Sequence, residues 1–140
     1  LPVCAMFYIA FCNIPIEKEE IKKSIDYIEN NIETHDAVYV YYGSSAPFQF
    51  YREINYVDID NKIIFGTSHR GDFKKYYYEL LNLRGRVWLL FSHIFPFSGN
   101  VKESDYMIDF LIRNGSELLD KKRYKGSIVY YVDTKKTNRD

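Results

Sequence analysis

Only two cysteines, seven glycines, four prolines and one tryptophan occur in 140 residues. Both cysteines, Cys4 and Cys12, fall near the start, and none follows. On a helix their spacing would be about 12 Å, too far for a mutual bridge, so no disulfide framework is expected. The three histidines, His35, His69 and His93, come from separate segments without H-x-x-x-H or C-x-x-C spacing, so no metal site is expected. A Gly-rich phosphate loop and a dinucleotide fingerprint are both missing, and no cofactor is expected. Charge of one sign is missing too. Nineteen basic residues balance nineteen acidic ones, and the two signs are interleaved. That balance argues for no nucleic acid among the partners and gives no general attraction to an acidic membrane surface. There is no internal repeat and no low-complexity tract.

What is present is a globular composition, 46% hydrophobic and 27% charged, with enough chain for one domain and one core. Aromatic residues are abundant, with fourteen Tyr and ten Phe. Rings offer large contact area, and Tyr adds a hydroxyl for buried or wet interfaces.

Residues 1–16 carry no charge and include Val3, Met6, Phe7, Tyr8, Ile9 and Phe11. The stretch is somewhat short of the ~20 apolar residues of a spanning helix and lacks a basic leader. Two readings stand: the outer end of a transmembrane helix stopped at Pro15, or a buried first element. Residues 17–134 form the single α/β domain, and the polar tail 135–140 is expected to fray.

From Glu17 to Ile32 the apolar residues Ile21, Ile25, Ile28 and Ile32 recur at spacings of 4, 3 and 4, an amphipathic helix. Glu17, Glu19 and Glu20 are expected in its first turn, where the dipole favours anions. Residues 37–42 read as a strand broken by Gly43-Ser44-Ser45. Pro47 suits the first turn of the next helix, with Phe48, Phe50 and Tyr51. A strand follows at 62–66, a helix at about 72–83, the very apolar strand 87–91, and a helix at about 104–113. Residues 118–124 and 128–132 suit an antiparallel pair. Strands apolar throughout, alternating with helices, imply a mostly parallel sheet covered on both faces. The fold class is therefore α/β, a three-layer sandwich with an antiparallel strand pair at one end.

In such sheets ligands bind beyond the carboxyl ends of the strands. Ser44 and Ser45, then His69 and Arg70, then Ser92 and His93 stand at those ends. Hydroxyls, a cation and imidazoles can hold a phosphate, a sugar or a carboxylate. The plainer alternative is helix capping by Ser44 or Ser45, an ion pair for Arg70 and a backbone contact for His93. Gly43-Ser44-Ser45-Ala46-Pro47 falls one glycine short of a nucleophile elbow. A hydrolase would need His93 and an acid such as Asp105 beside Ser45. Arg70-Gly71-Asp72 spells an adhesion tripeptide, but Asp72 suits a helix cap better.

Two segments resemble a known family. Residues 36–43 with Ala46-Pro47-Phe48 and Tyr51, and residues 86–93, resemble the soluble C-terminal domain of bacterial multi-span membrane proteins similar to the dolichyl-phosphate-mannose mannosyltransferase-like group. The resemblance covers about residues 28–93 and, more loosely, the closing strands. It implies a membrane-anchored protein whose soluble part lies on the periplasmic or extracellular side. It also implies that residues 1–16 end the last span. In that group the catalytic acid lies in an early outer loop of the membrane part, so no catalytic residue carries over.

The function expected from this resemblance is a non-catalytic accessory domain of a membrane glycosyltransferase. Its partners would be its own membrane domain and a lipid-linked sugar or glycan acceptor, with exposed tyrosines as stacking platforms. The alternatives are an interaction or small-ligand-binding α/β module and, last, a small serine hydrolase.

Overall fold

The computed structural model describes residues 20–134. The expectations for residues 1–16, for Cys4 and Cys12 and for the tail 135–140 lie outside the described residues. The order is α1 (Ile21–Asn31), β1 (Ala37–Val40), α2 (Tyr42–Glu53), β2 (Lys62–Phe65), α3 (Lys74–Leu81), β3 (Gly85–Ser92), β4 (Pro96–Ser98), β5 (Val101–Lys102), α4 (Glu103–Arg113), β6 (Glu117–Tyr124) and β7 (Ser127–Thr134). Five strands make one sheet in the order β2-β1-β3-β7-β6. β1 runs parallel to β2 and to β3. β7 is antiparallel to β3, and β6 is antiparallel to β7. The expected architecture is observed: a parallel group completed by an antiparallel hairpin at one end.

Alternation along the strands divides the core into two layers. Val38, Val40, Trp88, Leu90 and Val129 face α1 and α2, meeting Ile21, Ile25, Ile28 and Phe48. Tyr39, Val87, Leu89, Phe91, Ile128 and Tyr130 face α3 and α4, meeting Tyr76, Leu80, Met107, Ile108 and Leu111. Both faces of β1 and β3 are therefore dry, which is why these strands read as unbroken apolar runs. Among the described residues, no helix is long and apolar enough to cross a membrane.

Two local expectations need correction, and one small element was not expected at all. No acid occupies the first turn of α1. Glu20 precedes the helix, where Lys23 and the Lys125 N–H hold its carboxyl below the usual range. α2 starts at Tyr42, directly after β1, so Pro47 lies inside the helix rather than in its first turn. There its missing N–H removes one helical hydrogen bond. The small β4–β5 pair leading into α4 has no counterpart in the sequence-based assignment.

The tyrosine content has a consequence for pH. Burial, with Asp105 nearby, pushes Tyr130 up to about 12. Burial and the bond to Asp36 push Tyr131 up to about 12 as well. Tyr39, Tyr41 and Tyr76 are raised too, mainly by burial and with carboxylates beside them. An unfolded chain releases these protons near pH ~10, while the folded chain keeps them. Stability is therefore fully present below pH ~10 and falls as pH rises toward 12 and beyond. For these five phenols, tyrosinate absorbance and unfolding should appear in one cooperative alkaline transition. Tyrosinate appearing in proportion near pH ~10 without unfolding would contradict this.

Candidate functional site

β1 sits between β2 and β3, so the chain leaves β1 toward one side of the sheet and β3 toward the other. A crevice is expected between their carboxyl ends. Here that crevice is filled. A Cβ on Gly43 would stand 2.7 Å from the His93 carbonyl oxygen and 3.0 Å from that of Ser92. Only glycine permits such a close approach. Ser44 and Ser92 are buried beside it. The Ser44 hydroxyl accepts from the Ser92 N–H at 2.6 Å and lies 3.3 Å from the Leu90 carbonyl oxygen and 3.2 Å from the Ser92 hydroxyl. These two serines clamp α2 onto β3. Ser45 turns its hydroxyl back to the Tyr41 carbonyl at 3.4 Å.

His69 and Arg70 lie in the loop between β2 and α3. His69 Nε2 is 2.9 Å from Glu79 Oε2. Glu79 also accepts from the Tyr39 hydroxyl and from the Thr67 N–H. His69 donates its own N–H to the Tyr76 hydroxyl at 3.1 Å. Arg70 is 47% exposed at its side chain, and its Nε lies 3.6 Å from Glu103 Oε1. Its guanidinium carbon stands 4.5 Å from the centroid of the Phe95 ring, a cation–π distance. Phe95 in turn stacks on Tyr42 at 5.6 Å.

Glu103 opens α4 and is completely buried. Its Oε2 accepts from Tyr41, from Tyr42 at 2.8 Å and from Tyr76 at 3.4 Å. Its Oε1 takes no hydrogen bond among the described residues and faces Arg70. Burial is the first cause of the raised pKa of Tyr41, Tyr42 and Tyr76. These three phenols stay protonated and donate to the carboxylate at neutral pH. The arrangement holds one guanidinium in place at the sheet edge, its outer part in solvent.

His93 takes a left-handed backbone conformation, φ 49°, which is uncommon outside glycine. It turns the chain off β3 into a cavity of about 400 Å³ shared with Ile94, Phe95, Lys102, Arg123, Tyr124, Gly126, Ser127 and Ile128. The pairing of Ser92 with Ser127 brings the β6–β7 turn to this point. The six residues expected at the site thus divide. Ser44 and Ser92 are internal, Ser45 and His69 are held by neighbours, and Arg70 and His93 reach the surface. Glu103, Lys102 and Arg123 were not foreseen. Arg123 had a sequence signal, the cationic run 121–125 beside a glycine turn, while Lys102 and Glu103 had none. Among the described residues, no group of His, Cys, Asp and Glu is arranged to hold a metal ion.

Comparison with family models found no match, and neither did comparison with curated proteins. Among solved structures, the chain is similar to one described as the structure of the 16S rRNA methylase ArmA. Identity is 12%, coverage is 81% of this chain and 82% of that chain, and the TM-score is 0.35. The exclusion of nucleic acid drawn from net charge does not stand. Zero net charge is an average, and Lys121, Lys122, Arg123 and Lys125, close together in the sequence, stand at one hairpin. At that TM-score the likeness carries no argument for RNA binding by this chain.

Proposed function

We propose that this chain is a non-catalytic ligand-binding α/β domain, the accessory outer-face domain of a membrane glycosyltransferase using lipid-linked sugar. In this role it assists binding of acceptor or donor at the carboxyl edge of its parallel strands. The observation that carries the binding role is Arg70, fixed by the buried Glu103 and the Phe95 ring with its outer face left to solvent. A guanidinium held in one place loses less entropy on meeting a ligand, and its planar fork suits anionic or hydroxyl-rich groups. The non-catalytic part is supported by the serines, whose hydroxyls are engaged with the backbone. The glycosyltransferase context is supported by the resemblance of residues 36–51 and 86–93.

In the full-length protein, Arg70→Ala is expected to raise KM for acceptor or donor about tenfold, equivalent to ~1.4 kcal/mol of lost binding, with kcat little changed. His93→Ala is expected to act in the same direction. Transfer kinetics unchanged in both variants would sink the accessory-binding role. A fall in kcat alone would point instead to a part in the chemistry.

A further inference from the structure

We infer that the cavity between the end of β3 and the β6–β7 turn is a binding site for a phosphoryl anion, with Lys102 and Arg123 as its charged contacts. This goes beyond the accessory role above and does not depend on a glycosyltransferase context. Three observations converge on it.

The cavity's size, about 400 Å³, falls within the range of small-ligand sites. Its lining includes Lys102 and Arg123 but no Asp or Glu. Carboxylates on the neighbouring elements are engaged elsewhere. Glu103 turns to Tyr41 and Arg70, Glu20 to Lys23 and the Lys125 N–H, and Asp105 toward Tyr130 at 3.4 Å. Among the described residues no carboxylate pairs with Lys102 or Arg123.

The adjacent lysines of the same strand are placed differently. Lys121 lies over the Tyr130 ring at 5.2 Å and Lys122 over Tyr27 and Tyr124 at 5.7 and 5.8 Å. Arg123 lines the cavity, and Lys102 reaches it from β5. The two cations come from segments distant in sequence: β6, which carries Arg123, pairs with β7 beside β3, and the chain leaving β3 runs through β4 into β5, which carries Lys102.

The rest of the lining suits an ester rather than a bare ion. Phe95, Tyr124, Ile94 and Ile128 supply apolar surface beside the cations. Charge-assisted hydrogen bonds from a guanidinium and an ammonium would satisfy phosphate oxygens.

The test is an amide-resolved NMR titration of the 140-residue chain with inorganic phosphate, then with glucose 1-phosphate. Saturable shifts confined to residues 93–95, 102 and 123–128 are expected. Lys102→Gln and Arg123→Gln should each weaken binding about tenfold, and the double variant should abolish it. Lys121→Gln, a change on the same strand outside the cavity, should stay within about twofold. Vesicles containing phosphatidic acid form a second arm. Binding there and not to glucose 1-phosphate would keep the phosphoryl chemistry but assign it to a lipid headgroup.

The proposal is overturned by the absence of saturable binding in both arms. It is also overturned if acetate binds as tightly as phosphate, or if Lys121→Gln weakens binding as much as Arg123→Gln. Arg70 does not line the cavity, so the transfer kinetics of Arg70→Ala and the anion titration can fail independently.

Discussion

Glu103→Ala is expected to lower the unfolding free energy by about 3–5 kcal/mol. The carboxylate is completely buried and receives the hydroxyls of Tyr41, Tyr42 and Tyr76. Without it, three phenols that point into one spot lose their shared acceptor, and a cavity opens beneath them. Arg70 loses its anchor, but its exposed part rehydrates, so the ion pair itself contributes the smaller share. Glu103→Gln keeps an acceptor and should cost only about 1–2 kcal/mol. Urea unfolding of the two variants separates these contributions. A Glu103→Ala loss below ~1 kcal/mol would mean that water replaces the carboxylate and that the tyrosines never depended on it.

Asp36→Ala should cost a similar ~3–5 kcal/mol at the opposite, amino-terminal end of the strands. Asp36 is buried. Its Oδ2 accepts from the Trp88 indole at 3.1 Å, from the Tyr131 hydroxyl at 2.9 Å and from the Glu33 N–H at 3.0 Å. Its Oδ1 lies 3.0 Å from Arg86 Nε. That contact lacks hydrogen-bond angles, so it acts as a charge contact. Trp88 stacks on Tyr131 at 4.0 Å, and removing the carboxylate unpins both rings at once. Trp88 is the single tryptophan, so its emission reports the change without interference from another indole. Emission and stability both unchanged in Asp36→Ala would refute the pinning role. Asp36→Asn should fall between, because it keeps the shape and loses the attraction for Arg86.

Much of the fold was legible because its strands and helices bury different periodicities. Ile21, Ile25 and Ile28 at helical spacing became one buried stripe. The run from Val87 to Phe91 became a strand dry on both faces. The polar stretch 117–124 paired with the apolar stretch 127–134 at the sheet's end, as its composition suggested. β4 and β5 were not legible, since three and two residues carry no period. The start of α2 was missed because Gly43-Ser44-Ser45 reads as a break. In the fold Gly43 is there for close approach to β3.

The site was half legible for a different reason. Topology placed Ser44, Arg70, Ser92 and His93 at one edge, as alternation implied. Whether a hydroxyl points inward depends on its neighbours, and Ser44 and Ser92 satisfied each other. Glu103 lay just ahead of the helix expected at about 104–113 and carried no sequence signal. Its burial depends on Tyr41, Tyr42, Arg70 and Tyr76, all distant along the chain. Lys102 and Arg123 share a cavity only through strand register, which no local motif encodes.

The position of β7 bears on how the molecule is made. The last described strand is not at a border of the sheet but lies between β3 and β6. A chain emerging from the ribosome, amino end first, can assemble β1, β2 and β3 with their helices. Until Ser127–Thr134 arrives, however, it leaves one side of β3 unpaired. During that interval the nascent domain carries an open apolar border, Val87 to Phe91, able to capture any extended segment nearby. The tight β6–β7 turn shortens the interval, because a hairpin closes in microseconds once both strands exist.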